Sequence, residues 1–169
     1  LGDEILKSGM TLTSLEGVSI HHGPEAIKWV LNPADLPLLD LIIITTKSQD
    51  TLSAITEVKS KIKNETVIVS LQNGLSNPAV LKTFLPDHKI VTGMVLYNVI
   101  QLNHKVHFKQ SSNGDIYLSE NVDTLNVMGA KIVADIIAIQ WGKLLKNLNN
   151  ALNALSNRPL IVQLRDRKE

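Results

Sequence analysis

A β-branched run at residues 40–46, Asp-Leu-Ile-Ile-Ile-Thr-Thr, is the strongest strand signal in this sequence. Its length and composition are typical of a strand that is buried on both faces of a parallel sheet. Residues 51–63 then carry apolar side chains at helical spacing, residues 66–71 form a second β-rich run, and a short helix is predicted at 78–84. This alternation of strand and helix predicts an α/β fold built on a parallel sheet with crossover helices.

The pattern changes after residue 89, where β-rich runs are separated by short polar turns. Runs of this kind favour antiparallel strands added at the far side of the parallel sheet. The remaining predicted elements are strands at 90–100, 105–109 and 115–118, helices at 122–136 and 141–156, two short strands around Glu16-Gly17 within 11–20, and another strand at 26–31.

Length and composition restrict the class of protein further. The 169 residues suffice for one core, or for one domain and a piece of another, and the net charge of +1 gives no sign of a surface for polyanions. The absence of cysteine excludes disulfides and thiolate metal sites. The longest apolar run, 36–46, is interrupted by Pro37 and Asp40 and is far shorter than the roughly 20 residues that cross a bilayer. The sequence therefore predicts no nucleic-acid, membrane or metal partner.

Polar residues stand at the carboxyl ends of both predicted parallel strands. Lys47 comes directly after the first run, and Gln72, Asn73 and Gly74 end the second. Ligands of open α/β sheets bind outside the carboxyl ends of the strands, so a lysine there can meet an anionic cofactor group. An Asn-Gly pair can also approach a ligand closely. The alternatives are a lysine that marks the return of the chain to water and an ordinary Asn-Gly turn.

The segment 141–156 combines an apolar face with an unusual polar face. At about 100° per residue, Lys143, Asn147 and Asn150 fall within roughly 60° of one another. The leucines on the opposite side are Leu144, Leu148, Leu152 and Leu155. Asn costs roughly 0.7 kcal/mol relative to Ala inside a helix, so a cluster of asparagines at 147, 149, 150 and 153 indicates a functional face. The alternative is a solvated helix with a polar side.

An amine beside carboxamides suits the polar reduction of a carbonyl group. Negative charge grows on the carbonyl oxygen as hydride arrives, and a cationic acid must stabilise that charge or supply a proton. A lysine in a partly buried pocket has its pKa lowered toward neutrality, which makes Lys143 a candidate acid. The carboxamides would hold the carboxylate and hydroxyl groups of a substrate.

Four segments in this order, 40–47, 69–75, the β-rich run from Gly93 through 115–118, and 141–147, resemble the ketopantoate reductases (2-dehydropantoate 2-reductases). The resemblance spans about residues 36–160 and implies NADPH-dependent reduction of ketopantoate to pantoate, in pantothenate biosynthesis in the cytoplasm. The implied site residues are Lys143 as general acid, Asn73, Asn147 and Asn150 as substrate ligands, and Lys47, Asn73, Gly74 and Val99 as cofactor contacts. In the family, a second substrate-binding asparagine lies one helical turn after the first. Strict counting from Asn147 places it at Ala151, but the Asn-Ala-Leu pattern that begins at residue 150 favours Asn150.

The resemblance also implies how the chain divides. Residues 1–138 would form an incomplete Rossmann-like dinucleotide-binding domain, and residues 139–169 would form the first helix of an all-helical C-terminal domain. The glycine-rich strand-turn that holds the pyrophosphate and most of the helical domain are expected to be missing. The expected partner is a small 2-oxo acid, with a homodimer as a candidate assembly. Alternatives are a reductase of another 2-oxo acid, a related polyol phosphate dehydrogenase, and a non-catalytic binding module that retains the fold.

Overall fold

The computed structural model describes residues 1–102, 106–156 and 162, except for the side chains at 149–154 and 156. Within these ranges the helices are α1 (Gly2–Ser8), α2 (Thr51–Glu57), α3 (Asn77–Phe84), α4 (Asp123–Asn126) and α5 (Ile136–Ser156). The strands are β1 (Met10–Thr13), β2 (Ser19–His22), β3 (Leu39–Ile44), β4 (Ile62–Ser70), β5 (Lys89–Val95), β6 (Val99–Gln101), β7 (His107–Gln110), β8 (Ile116–Leu118) and β9 (Lys131–Ile132).

The larger sheet has the strand order β3-β4-β5-β8-β9. Its first three strands are parallel, and α2 and α3 connect them. Strand β8 is antiparallel to β5, and β9 pairs in parallel with β8. The prediction of a Rossmann-like parallel sheet with added antiparallel strands is therefore confirmed.

Both faces of this sheet are covered, because successive side chains of a strand point to opposite faces. On β4 the neighbours Ile68 and Val69 are both fully buried but belong to different clusters. One cluster, on the side of α2 and α3, contains Ile44, Ile55, Ile68, Leu81 and Leu85. The other, on the side of α4, contains Val69, Val91, Leu118, Val122 and Leu125. The two layers fix the sheet and bring the carboxyl ends of β3 and β4 to one edge.

A smaller sheet has the order β2-β1-β7-β6. The two short strands predicted around Glu16-Gly17 are confirmed as β1 and β2, which pair in antiparallel register. The single long strand predicted at 90–100 is wrong, because β5 ends at Val95 and β6 joins the smaller sheet. Between them the backbone N–H of Leu96 donates to the carbonyl of Asp115, and that of Asn98 donates to the Ser112 hydroxyl. These bonds turn the chain from one sheet to the other.

The helix predicted at 122–136 is also wrong. Helix α4 stops at Asn126, and Gly129 follows with a φ of 71°, in the left-handed region that favours glycine. The chain then forms β9, whose Ile132 is exposed. The apolar spacing that suggests one helix is thus divided among three elements. The last helix begins at Ile136, earlier than the predicted residue 141, so the predicted domain boundary at 138 lies in its first turn.

Three further differences concern the connections. Helix α2 ends at Glu57 rather than 63, because the apolar Ile62 belongs to the start of β4. Residues 26–31 form no strand: a 3₁₀ turn at Pro24–Ala26 precedes them, and Trp29 packs close to Gly2. Helix α1, which contains that glycine, was not predicted.

Candidate functional site

A buried amide ties the ends of β3 and β4 together. The Gln72 side chain, only 3% exposed, donates from Nε2 to the carbonyl of Thr46 at 3.0 Å and to Oγ1 of Thr51 at 2.8 Å. Its Oε1 accepts a hydrogen bond from Oγ of Ser70 at 3.0 Å. Because these partners lie in the loop after β3, on α2 and at the end of β4, Gln72 fixes the position of the turn that follows it.

The next residues of this turn are held mainly through their backbone. The carbonyl of Asn73 accepts hydrogen bonds from Oγ of Ser48 at 3.0 Å and from Nδ2 of the buried Asn77 at 2.8 Å. Gly74 adopts a φ of 94°, and its carbonyl accepts a hydrogen bond from Nε2 of Gln140 on α5 at 3.2 Å. The exposed side chain of Asn73 is thereby positioned by a rigid backbone.

Replacing Gln72 by leucine is expected to lower the free energy of unfolding by about 1–3 kcal/mol, the usual cost of leaving buried polar groups without partners. Thr51 and Ser70 would each lose one hydrogen bond, and Thr46 would lose two. Urea unfolding followed by circular dichroism measures the change. The control is Gln49→Leu, the same substitution at an exposed position, where a change within about 0.5 kcal/mol is expected. Equal losses in the two variants would show that the buried amide is not a structural tie.

The amine of Lys143 lies against the connection between β5 and β6 rather than in open solvent. The residue is 8% exposed, and its Nζ donates to the carbonyl of Leu96 at 3.2 Å and to Oδ1 of Asn98 at 3.3 Å. Burial lowers the pKa of Lys143 from its ordinary value, and the positive charge of Lys146 lowers it further. A lysine in this position gives up its proton more readily than a lysine in water.

This amine lies over a polar cavity of about 400 Å³, which we call the lysine cleft. Residues that line it include Leu71, Asn73, Asn98, Val99, Lys143 and Asn147. The structure therefore brings together four of the residues predicted from the sequence, Asn73, Val99, Lys143 and Asn147. Their side chains or backbone come from the turn after β4, from β6 and from α5.

The other predicted residues lie around this cleft or outside the description. Lys47 lines an adjacent cavity of about 270 Å³, which shares Leu71 and Asn73 with the lysine cleft. Gly74 connects the turn to α5 through its carbonyl. The side chain of Asn150 lies outside the described residues.

Sequence reasoning missed two residues that build the site. Asn98 contacts the amine of Lys143, and Gln140 joins α5 to the turn after β4. Gln140 could have been noticed as the single amide in the apolar stretch 136–141. Asn98 could not, because nothing in the sequence marks the break between β5 and β6.

Helix α5 buries part of its polar face and exposes apolar side chains. Gln140 and Lys143 are buried. The exposed apolar residues of the helix are Ile137, Trp141, Leu145, Leu148 and Leu155. Leu148 and Leu155 lie away from the buried Lys143, as the predicted separation of apolar and polar faces requires. The side of α5 that packs against the rest of the protein is, however, the one that carries Gln140 and Lys143.

The described ranges contain neither a metal-binding cluster nor a membrane-spanning helix. No group of three or more His, Cys, Asp or Glu side chains is arranged to hold a metal ion among the residues that the structure describes. In the same part of the chain, no helix has both the length and the apolar character needed to span a membrane.

Comparison with protein families gives a match over most of the chain. The model described as ketopantoate reductase PanE/ApbA matches residues 3–123. This chain belongs to the ketopantoate reductase family. That family consists of oxidoreductases, so the sequence resemblance stated above is confirmed at the level of the family.

Individual relatives of this ketopantoate reductase family member are distant. A 2-dehydropantoate 2-reductase of Streptococcus pyogenes serotype M3 is 33% identical over 58 residues, which cover 34% of this chain and 19% of that protein. The structure of 2-dehydropantoate 2-reductase from Porphyromonas gingivalis W83 matches with a TM-score of 0.73 and 19% identity, over 98% of this chain and 61% of that one. At these identities the structural likeness establishes the fold.

One structure of similar fold carries a different name. A ternary structure of D-mandelate dehydrogenase with NADH and anilino(oxo)acetate matches with a TM-score of 0.62 and 20% identity, over 79% of this chain and 46% of that one. The chain thus spans about half to three-fifths of the length of these solved relatives.

Proposed function

We propose that this chain supplies the nicotinamide side and the proton donor of an NADPH-dependent 2-dehydropantoate 2-reductase, which reduces ketopantoate to pantoate in pantothenate biosynthesis. The observation that carries the proposal is the convergence of Lys143 and Asn73, from distant parts of the chain, on one polar cavity. Membership of the family supports it. The proposal extends to a cytoplasmic location, a small 2-oxo acid as partner, a homodimer, and a division into a dinucleotide-binding domain at 1–138 and a helical domain from 139.

The ends of β3 and β4 fit a dinucleotide. The lysine cleft and its neighbouring cavity share Leu71 and Asn73, and both lie at the carboxyl ends of parallel strands, where open α/β sheets bind ligands. Lys47 would meet an anionic group of NADPH. Val99 and the turn at Asn73 and Gly74 would line the nicotinamide and its ribose. The cofactor, when bound, supplies the hydride.

The proton would come from Lys143. Its amine is held by two neutral oxygens, the carbonyl of Leu96 and Oδ1 of Asn98, so it can turn one N–H toward a carbonyl oxygen in the cleft. As negative charge grows on that oxygen, the ammonium group stabilises it and then transfers the proton from Nζ. The lowered pKa of Lys143 makes this transfer easier.

The substrate would be oriented by carboxamides. Asn73 and Asn147 line the lysine cleft together with Lys143, and each offers donors and an acceptor without adding charge. Asn150 is proposed to extend this set along the helix. Because these carboxamides are neutral, Lys143 supplies the positive charge that the substrate meets in the lysine cleft.

A reductase of another 2-oxo acid is the second candidate. The similar fold of D-mandelate dehydrogenase, a protein crystallised with NADH and anilino(oxo)acetate, favours it. The lysine cleft would treat the reacting carbonyl of either substrate alike.

The test measures oxidation of NADPH and NADH by the full-length protein with ketopantoate and with a panel of alkyl and aryl 2-oxo acids. The expected result is the highest kcat/KM with ketopantoate and NADPH. A higher value with an aryl 2-oxo acid would favour the second candidate. Absence of oxidation with every member of the panel would contradict both.

A further inference from the structure

A second cavity adjoins Lys143. It has a volume of about 320 Å³, within the range of small-molecule sites, and Lys143 lines both this cavity and the lysine cleft. Its apolar lining includes Leu96, Ala138 and Ile139. Lys146 lines this second cavity as well, so two lysines one helical turn apart face the same apolar space.

The helix leaves this space open at Gly142. A Cβ atom built on Gly142 would meet nothing within 4 Å, although the residue lines the second cavity and lies inside α5. Glycine weakens the interior of a helix relative to alanine, and here no neighbouring atom requires it. Gly142 is exposed, so a larger side chain at this position would meet no neighbouring atom at its Cβ.

The charges of the second cavity identify the class of ligand. Among the residues that the structure describes, the two ionisable groups in its lining are both lysines, and the hydrogen bonds of the Lys143 amine go to neutral oxygens. Asn113 adds a neutral polar group to the lining. A carboxylate would relieve the repulsion between the two ammonium groups, and the apolar walls would receive a short alkyl body.

We propose that the second cavity binds a small branched alkyl monocarboxylate, with its carboxylate at Lys146 and Lys143 and its alkyl group between Leu96 and Ile139. This site goes beyond the proposed reduction and needs no cofactor. Because Lys143 belongs to both cavities, the bound carboxylate would hold the lysine in its ammonium form. An acid of this kind would thereby affect the proton donor without entering the lysine cleft.

The test is a calorimetric titration of the 169-residue chain with 3-methylbutanoate, which has no keto group to reduce. Lys146→Met is expected to weaken binding about 10-fold, the effect of losing one charge-assisted hydrogen bond. Gly142→Leu is expected to weaken it at least as much, because the leucine fills the cavity and leaves both lysines in place. Acetate should bind about 10-fold more weakly than 3-methylbutanoate because it lacks the alkyl body.

Two control variants separate this site from the lysine cleft and from general charge effects. Lys28→Met removes an exposed lysine that does not line the cavity, and Asn147→Ala changes only the lysine cleft. Both should keep the wild-type affinity within about 2-fold. The proposal is overturned if the wild-type chain does not bind 3-methylbutanoate, if Gly142→Leu binds it normally, or if Asn147→Ala abolishes binding. None of these results depends on whether the protein is a reductase.

Discussion

Replacing Lys143 by methionine in the full-length protein is expected to lower kcat for ketopantoate reduction by at least about 100-fold, the contribution typical of a positioned general acid. Methionine retains most of the length and apolar surface of the lysine side chain but has no ammonium group. The developing oxyanion would then lose both its counter-charge and its proton source. The measurement is the steady-state rate of NADPH oxidation at saturating ketopantoate, with circular dichroism to confirm the fold.

The pH dependence provides a second readout of the same role. A general acid must carry its proton, so activity is present below the pKa of Lys143 and is lost as the pH rises through it. Because burial and Lys146 lower that pKa, the loss should occur at a lower pH than the ordinary lysine value of 10.5. Lys146→Met removes one of the two causes and should shift the alkaline limb upward.

The control for both measurements is Lys28→Met, which removes the same charge from an exposed segment. It should leave kcat and the pH profile unchanged. A Lys143→Met enzyme that retains half of the wild-type kcat, or a wild-type profile without an alkaline limb, would remove Lys143 from the chemistry.

The parallel sheet and the convergence of the site could be predicted from sequence for one physical reason. A β-branched run buried on both faces leaves little choice of structure, and the parallel strands bring Lys47 and Asn73 to the same edge. The asparagines of α5 predict a functional face because asparagine disfavours a helix, so their clustering requires another explanation. These signals are local and need no knowledge of distant contacts.

The parts of the fold that were predicted wrongly depend on long-range contacts, which the spacing of apolar residues does not indicate. The residues of 122–136 have helical spacing, but a left-handed Gly129 and pairing of β9 with β8 override it. The break between β5 and β6 is set by bonds to the 111–115 loop, which is distant in sequence. This break presents Leu96 and Asn98 to the amine of Lys143. The surroundings of Lys143 could therefore not be derived from the sequence of α5 alone.

The apolar cluster on the side of α2 and α3 is expected to supply much of the stability that fixes the carboxyl ends of β3 and β4. Leu81 on α3 is 0% exposed and packs with Ile44, Ile55 and Ile68. Leu81→Ala should therefore lower the free energy of unfolding by about 2–5 kcal/mol, the sum of lost apolar burial and the cavity that remains. Urea unfolding of the 169-residue chain measures this loss through the shift of its midpoint.

The adjacent residue provides the matched control. Val80 lies on the same helix but is 39% exposed, and Val80→Ala removes two methyl groups where water can replace them. Because alanine also favours a helix more than valine does, we expect a change within about 0.5 kcal/mol. If the two variants lost equal stability, α3 would not be anchored through Leu81. Since Asn77 at the start of α3 holds the carbonyl of Asn73, loosening this anchor should also weaken the turn beside Lys143.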